Sequence, residues 1–290
     1  MAESSVFIGL VSHGQSKFIK SQGANGLSSR LCEAFGQAGW KCTLQVNVRN
    51  LFDERPFTLT SKMARESVKA EINLEHRWSV FLSKQDRFRQ SRRILGRQIA
   101  SLIRLKRNSN TREIRRLLNI ESSHRNLYEQ AILSGYEWTI ILEDDAFAPD
   151  FADLVSGLIG IFSNEKDLKF LNLSASFSLE SLGIGHILLE DKSETWGGPV
   201  TRHIFKSMKP ATNTVCAIAY KTEFLAQVVA DLNTQSQQPI IPIDWMLNRT
   251  LMRLWESGKI GAKECWFVEP APIVQLSMID SAAMNDIMQP

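Results

Sequence analysis

The sequence predicts an α/β fold in which a mostly parallel, Rossmann-like sheet is flanked by helices, with all 290 residues in one domain. The chain opens with a β-type apolar run, a helical segment and a second β-type run, which together form the first unit of such a sheet. Further on, short apolar runs alternate with segments of helical periodicity. Apolar residues make up 43% of the chain and charged residues 22%, so the chain can build an ordinary packed core.

The first βαβ unit is predicted at the start of the chain. Residues 6–12 are almost continuously apolar, which is typical of a strand buried on both faces. Gly14 permits a turn after this strand, and residues 27–35 then have helical spacing, with Gly39 as the stop signal. Residues 42–48 alternate between apolar and polar side chains and are predicted to form the second strand.

Residues 58–118 are predicted to form a basic helical insertion between the second and third core strands. Within residues 84–116, twelve Lys or Arg stand against two acids, a net charge of +10, whereas the whole chain carries +3. We expect this segment to meet anionic lipid headgroups, with a solvated helical pair as the alternative. Nucleic acid is not an expected partner, because Phe88 is the only aromatic residue among these charges. An apolar stripe follows helical spacing at Leu95, Ile99, Leu102 and Ile103.

The rest of the chain is predicted to continue the alternation of helices and strands. Ser122 and Ser123 offer an N-cap for one helix, Pro149 stands at a first-turn position of the next, and Asp244 is expected to cap the last. Residues 174–210 are rich in Gly and Ser and lack periodicity, so we expect an active-site loop or lid there. The predicted helices are 124–133, 150–162, 221–232 and 244–256, and the predicted strands are 138–142, 168–173, 214–220 and 266–268.

Three consecutive carboxylates, Glu143, Asp144 and Asp145, directly follow the apolar run at 138–142. Because unpaired charges are not tolerated inside a buried strand, we expect the acids at its carboxyl end, where open α/β sheets bind ligands. Adjacent carboxylates repel one another unless a cation or hydrogen-bond donors compensate them, and Mg²⁺ and Mn²⁺ prefer such oxygen ligands together with substrate phosphates. The motif therefore predicts a metal–phosphate site. In the alternative, the acids cap the following helix or pair with arginines.

Four short motifs point to a known family: Ser-His at residues 123–124, Ile-Leu-Glu-Asp-Asp at 141–145, Cys-Ala-Ile-Ala-Tyr-Lys at 216–221 and Pro-Ile-Asp at 242–244. Together they resemble glycosyltransferase family 25, which includes lipooligosaccharide and collagen galactosyltransferases and belongs to the GT-A superfamily. The resemblance implies a GT-A-like sheet, a UDP-sugar donor and Mn²⁺ or Mg²⁺ as cofactor. It also implies transfer of the sugar, with inversion, to a glycan or lipid-linked glycan in bacterial surface polysaccharide or lipooligosaccharide synthesis.

The resemblance also implies roles for individual residues. Asp145 and Glu143 are expected to bind the metal, and Asp244 to be the catalytic base that takes the proton from the acceptor hydroxyl. For Asp244, a plain capping role remains the alternative, and an acid of the predicted lid is then the alternative base. Independently of the resemblance, Trp196-Gly197-Gly198 is interpreted as a flexible aromatic turn that stacks on a sugar face, with a plain loop as the alternative. The residues expected to contact the donor nucleotide are Ser12, His13, Gly14, His124, Glu143 and Asp144. His124 is expected to bind phosphate or to position the acceptor, with a local hydrogen-bonding role as the alternative. For residues 12–14 a tight polar loop is the alternative.

Other features narrow the class of protein. The four cysteines are far apart and show no CxxC spacing, which favours reduced, mostly buried thiols over a disulfide framework or a zinc site. No signal peptide and no apolar run of membrane-spanning length is visible, so we expect a cytoplasmic protein, peripheral at the inner membrane face. Two rival functions stay open, a metal-dependent phosphoesterase and a non-catalytic module that binds nucleotide or glycan.

Overall fold

The computed structural model describes residues 4–13, 18, 26–49, 92, 95–96, 111–165, 167–174, 187–190, 196–212, 214–234 and 242–279. Ten strands lie among these residues, and eight of them form one sheet. The strands are, in chain order, β1 (Ser5–His13), β2 (Lys41–Arg49), β3 (Trp138–Glu143), β4 (Ala146–Phe147), β5 (Phe170–Asn172), β6 (Leu188–Glu190), β7 (His203–Ser207), β8 (Ala217–Lys221), β9 (Cys265–Glu269) and β10 (Val274–Gln275).

The large sheet has the strand order β2-β1-β3-β8-β5-β9-β7-β6. Six of its eight strands run in the same direction, because only β8 and β7 pair antiparallel with both of their neighbours. The sheet is therefore mixed, with one direction dominating. β4 and β10 form a separate antiparallel pair.

Helices cover both faces of this sheet. The described α-helices are α1 (Leu27–Gln37), α2 (Thr111–Ser134), α3 (Phe151–Asn164), α4 (Thr222–Asn233) and α5 (Ile243–Glu256), and a 3₁₀ helix spans Leu276–Met278. On one face, α2, α4 and α5 bury apolar side chains such as Tyr128, Phe224 and Leu251. On the other face, α1 and α3 bury Phe35 and Leu158. Two apolar layers thus enclose the strands, and the predicted α/β fold is confirmed at this level.

The first βαβ unit is confirmed. β1, α1 and β2 extend one or two residues beyond the predicted ranges of 6–12, 27–35 and 42–48. Gly39 follows α1 with a φ of +83°, a conformation that residues with a Cβ rarely adopt, so it ends the helix as expected. The later strands and helices predicted from periodicity also exist, with shifted ends.

Two predicted helix starts are wrong. Ser122 and Ser123 lie inside α2, which continues without a break from Thr111. The hydroxyl of Ser123 donates to the backbone carbonyl four residues earlier at 2.8 Å, which satisfies it within the helix. Asp150, and not Pro149, immediately precedes α3, where its side chain accepts a hydrogen bond from a backbone N–H of the first turn at 2.9 Å.

The expected lid at residues 174–210 is not a plain loop. Two of its segments form β6 and β7 at one edge of the large sheet. Trp196 is buried, with 2% of its surface exposed, and packs against α3. The interpretation of Trp196 as a stacking surface for sugar is therefore wrong. Residues 175–186 and 191–195 lie outside the described residues.

Most of the predicted basic insertion also lies outside the described residues. Its last residues, from Thr111 onward, belong to α2. Arg92, Leu95 and Gly96 are helical, and Leu95 is 58% exposed, so its side chain does not lie on a packed face. Among the described residues, no helix combines the length and the apolar character that crossing a membrane requires.

Strand register brings several chain segments to the carboxyl end of β3. Val11 on β1 pairs with Glu143, so the last residues of β1 lie beside the acidic motif. Leu142 pairs with the first residue of β8, which places the segment before β8 at the same edge. The pairing of β10 with β4 adds Gln275 opposite Ala146. This edge of the sheet is the candidate functional site.

Candidate functional site

The acidic motif lies where the sequence predicts it. The strand residues before it are buried, whereas Glu143 ends β3 and is partly exposed. Asp144 and Asp145 form the turn to β4. Asp144 is partly exposed, but Asp145 is only 6% exposed. The three carboxylates therefore have different surroundings, although they are adjacent in sequence.

Asp144 is tied to β1. The hydroxyl of Ser12 donates to Oδ2 of Asp144 at 2.9 Å, across the gap between β1 and β3. Ser12 is buried and His13 is the last residue of β1, so both belong to the strand and do not follow it as expected. Gly14 lies outside the described residues. The hydrogen bond aligns the carboxylate of Asp144 with the end of β1.

Glu143 is held from the other side by a buried chain of polar groups on α2 and β8. Its Oε1 atom lies 3.3 Å from Nε2 of His124, whose side chain is fully buried. Nδ1 of His124 lies 3.4 Å from the hydroxyl of Tyr128, one helical turn further along α2. That hydroxyl lies 3.2 Å from the hydroxyl of Tyr220 on β8. Four side chains thus connect the acidic motif to the core.

The direction of the hydrogen bonds in this chain follows from the groups involved. Burial raises the pKa of Tyr128 to about 12 and that of Tyr220 well above its ordinary value, so both hydroxyls keep their protons at neutral pH. A carboxylate only accepts, so His124 donates from Nε2 to Glu143, and in the neutral ring Nδ1 accepts from Tyr128. The Tyr128 oxygen then accepts from Tyr220. The chain orients Glu143 and supplies a donor to it.

The prediction that His124 lies near a helix start is wrong, because His124 lies near the middle of α2. Its ring is fully buried, and both of its nitrogens face protein groups. In this arrangement the ring supports Glu143 and presents no atom to the solvent. The predicted contact of His124 with phosphate or acceptor stays a prediction.

Of the three acids, Asp145 lies in the environment that is least favourable to the ionised form. Burial raises its pKa above the ordinary value of 3.8, and the negative charges of Glu143 and Asp144 raise it further. Hydrogen bonds from Ser277 and Gln275 oppose this shift in part. The metal-free site thus carries an electrostatic cost, which a bound cation would relieve.

Gln275 connects the second small sheet to the acids. Its Nε2 atom lies 3.5 Å from Oε2 of Glu143, and its Oε1 atom accepts from the hydroxyl of Thr214 at 3.2 Å. The backbone N–H of Leu276 donates to the carbonyl of Asp145 at 2.9 Å. Residues far along the chain therefore complete the shell around Glu143 and Asp145.

Cys216 adds a thiol to the site. Its Sγ atom lies 3.7 Å from Oδ1 of Asp145, and ligand atoms of Glu143, Asp145 and Cys216 all lie within 4.8 Å of one another. Burial, and then the charges of Asp145 and Glu143, raise the pKa of the Cys216 thiol well above its ordinary value. Within the described chain, the ligand atoms of these three side chains lie close enough together to hold one metal ion.

Asp244 lies in the first turn of α5, but Pro242 is the residue at the N-cap, so the predicted capping role is wrong. One turn further on, Asn248 exchanges two hydrogen bonds of 2.9 Å with the backbone of Thr212. Thr212 precedes β8 by a few residues and lies close to Thr214, which contacts Gln275. The start of α5 is therefore anchored to the segment that borders the acids, and the predicted catalytic role of Asp244 stays a prediction.

Four residues of the site were not predicted: Tyr128, Cys216, Tyr220 and Gln275. The spacing of His124 and Tyr128, four residues apart on one helix face, is a signal that the sequence does contain. Cys216 and Tyr220 belong to the segment 216–221, which resembles the same glycosyltransferase family but gave no site residue. Gln275 reaches the acids through the pairing of β10 with β4 and leaves no local signal.

Neither the known protein families nor the curated proteins with which the chain was compared include a match to it. The class of protein that the fold and the site define is an α/β protein with a carboxylate cluster at a strand end. Any more specific function has to be argued from these residues.

Proposed function

We propose that this chain is a GT-A-like glycosyltransferase that moves a sugar from a nucleoside-diphosphate donor, UDP being the expected nucleotide, to a glycan hydroxyl. The observation that carries the proposal is that the three acids at the end of β3 have different neighbours. Glu143 and Asp145 have ligand atoms within 4.8 Å of each other, whereas Asp144 accepts a hydrogen bond from Ser12 at the end of β1. The proposed cation site would thus adjoin a polar strand end, as binding of a diphosphate next to its nucleoside requires.

The donor set at the end of β3 fits a divalent cation. Glu143 and Asp145 would hold Mn²⁺ or Mg²⁺, because both offer carboxylate oxygens and their mutual repulsion needs a positive charge. When bound, the cation supplies positive charge that stabilises the diphosphate leaving group. His124 and Gln275 keep the Glu143 carboxylate oriented for this task.

We assign the nucleoside to the end of β1. The Ser12 hydroxyl and the Asp144 carboxylate form a polar pair there, and carboxylates accept hydrogen bonds from ribose hydroxyls. His13, the last residue of the strand, and Gly14 after it complete the assigned segment. Asp144, which is partly exposed, is the acid assigned to the ribose or the sugar.

Asp244 is the proposed base. It is half-buried in the first turn of α5, on the helix that Asn248 anchors beside the site. In this role it takes the proton from the acceptor hydroxyl as that hydroxyl attacks the sugar, which leads to inversion. The proposed acceptor is a glycan or lipid-linked glycan of the bacterial surface, and the proposed location is the cytoplasmic membrane face.

Calorimetry with UDP in the presence and absence of Mn²⁺ tests the proposal. The unmodified chain should bind UDP only with the metal, and Asp145→Asn should abolish this binding. Asp167→Asn, which removes the same charge from an exposed position, should bind like the unmodified chain. Asp244→Asn should retain binding but lose turnover of a UDP-sugar. Metal-independent UDP binding in the unmodified chain, or full binding by Asp145→Asn, would contradict the proposal.

The rival functions give different results in the same experiments. A phosphoesterase would hydrolyse a simple phosphate monoester with the same dependence on Asp145. A non-catalytic module would bind UDP and metal but show no turnover with any sugar donor or acceptor. The proposed transferase should turn over UDP-sugars and leave the phosphate monoester intact.

A further inference from the structure

Cys216 places a thiol beside two carboxylates that alone would suit Mg²⁺. We propose that Cys216 is the third protein ligand of the cation site, so that the site prefers transition metals such as Co²⁺ and Zn²⁺ over Mg²⁺. This inference rests on the proposed function, because it needs a cation at Glu143 and Asp145. It changes the expected cofactor, since neither Mn²⁺ nor Mg²⁺ has a preference for thiolate.

The distances fit metal coordination. A tetrahedral metal with an oxygen at about 2.0 Å and a sulfur at about 2.3 Å separates the two ligand atoms by about 3.5 Å. The observed distance from Sγ of Cys216 to Oδ1 of Asp145 is 3.7 Å. Glu143 contributes its ligand atom within 4.8 Å of both. Small side-chain rotations are therefore enough to form the site.

The backbone holds Cys216 in place. Its carbonyl accepts from the backbone N–H of Glu143 at 2.8 Å, which continues the pairing of β3 with β8. Its own N–H donates to the hydroxyl of Thr214 at 3.1 Å. Gln275 bonds to both Thr214 and Glu143, so one residue links the supports of two ligands. Hydrogen bonds that hold the ligands in place in this way are typical of metal sites in proteins.

The charges of the three proposed ligands also suit a divalent cation. Metal ligation displaces the thiol proton to solvent, so the site would offer three negative groups to a divalent ion. Thiolate is a soft ligand that favours Zn²⁺ and related ions, whereas carboxylates alone favour Mg²⁺, Ca²⁺ or Mn²⁺. Cys265 on β9 is also buried and donates a hydrogen bond to the carbonyl of Ala211, and among the described residues it does not belong to the group formed by Glu143, Asp145 and Cys216. Cys265 is therefore a matched control.

Titration of the reduced full-length chain with Co²⁺ tests the proposal, because a cobalt–thiolate bond produces a charge-transfer band in the near ultraviolet. We expect this band in the unmodified chain and in Cys265→Ala, and its loss in Cys216→Ala. Cys216→Ala should also weaken Co²⁺ binding by at least about tenfold, without a change in Mg²⁺ binding. Cys216→Ser, which preserves side-chain volume, should lose the band even if the alanine variant does not fold.

Three results would overturn the proposal in different ways. Binding of Co²⁺ without the band, and with equal affinity in Cys216→Ser, would remove Cys216 from the ligand set and leave the proposed cation site intact. Failure of the unmodified chain to bind any of Co²⁺, Zn²⁺, Mn²⁺ or Mg²⁺, with or without UDP, would overturn both proposals. Persistence of the band in Cys216→Ser with loss in Cys265→Ala would move the thiol ligand to the wrong cysteine and also overturn the inference.

Discussion

At the scale of single residues, the proposed metal-binding role of Asp145 has a cost in folding stability. Its pKa is raised in the folded chain, so folding is favoured most when Asp145 is protonated, below its unfolded pKa near 3.8. This contribution is lost as pH rises through the folded pKa, where the carboxylate ionises beside Glu143 and Asp144. A metal-dependent chain would recover the loss only when the cation binds.

We therefore predict that metal-free Asp145→Asn is more stable than the unmodified chain at pH 7. The amide stays neutral, so the difference should vanish as pH falls below about 4. With Mn²⁺ the order should reverse, because only the carboxylate binds the ion. Urea unfolding between pH 4 and pH 8, with chelator and with metal, measures both effects. A variant that is less stable than the unmodified chain at every pH would show that Asp145 is mainly a structural acceptor.

Tyr128→Phe probes the chain that holds Glu143. The change leaves Nδ1 of His124 and the hydroxyl of Tyr220 without their partner, which should cost roughly 1–3 kcal/mol of stability. It should also weaken metal binding by about 10–100-fold, because His124, which donates to Glu143, loses the hydroxyl that orients its ring. Metal titration and urea unfolding are the two measurements.

Tyr136→Phe is the control for that variant. The hydroxyl of Tyr136 bonds to Thr43 at 2.5 Å on β2, so this variant also loses one side-chain hydrogen bond. Its stability should fall by about 1 kcal/mol, and its metal affinity should stay unchanged. Equal metal affinity in both variants would mean that Tyr128 has only a structural role.

The position of the acids could be predicted from sequence, because three consecutive charged residues that follow a buried strand must lie at its end. The partners of the acids could not. Cys216 and Gln275 reach Glu143 and Asp145 through the pairing of β3 with β8 and of β4 with β10, which joins residues distant in the chain. Local periodicity contains no information about such register.

At the scale of elements, the packing of Trp196 on α3 shows how a glycine can determine a contact. A Cβ on Gly157 would overlap the indole of Trp196, so glycine is required at this position of the helix. Close by, the buried carboxylate of Asp153 accepts from the guanidinium of Arg202 at 2.5 Å and from the backbone N–H of Val200 at 3.0 Å. These contacts dock the segment that leads into β7.

We predict that Gly157→Ala destabilises the fold by about 1–3 kcal/mol or more, because the indole must move within a packed core. Gly160→Ala, one turn along the same helix, is the matched control. Its Cβ would meet the nearest atom only at 3.7 Å, so the substitution should stabilise the helix by about 0.5–1 kcal/mol. Thermal unfolding of the two variants gives the comparison. Similar stability changes would mean that the Trp196 contact contributes little.

Element boundaries were less predictable than the elements themselves. Ser122 and Ser123 look like a cap because serine competes for backbone hydrogen bonds, but inside α2 the Ser123 hydroxyl bonds to the preceding turn. The strands β6 and β7 escaped prediction because their stability comes from pairing with β9 and with each other, in a region of weak periodicity.

At the scale of the whole molecule, charge is divided unevenly along the chain. Residues 84–116 carry a net +10, so the remaining residues carry −7. The carboxylate cluster belongs to the negatively charged remainder. We therefore expect an anionic membrane surface to attract the basic segment, whereas the proposed active site keeps its own metal-dependent chemistry.

We predict that the chain adsorbs to anionic vesicles at low salt and dissociates as salt rises, because screening limits the reach of each charge to about 8 Å at physiological ionic strength. Replacing four arginines of the basic segment by Gln should weaken adsorption by roughly 1 kcal/mol per charge without affecting metal-dependent UDP binding. The arginines are Arg92, Arg93, Arg97 and Arg104. Gln at four exposed basic positions elsewhere removes equal charge and should weaken adsorption less; these are Arg30, Lys41, Lys259 and Lys263. Vesicle sedimentation is the measurement, and equal loss in both variants would assign adsorption to net charge alone.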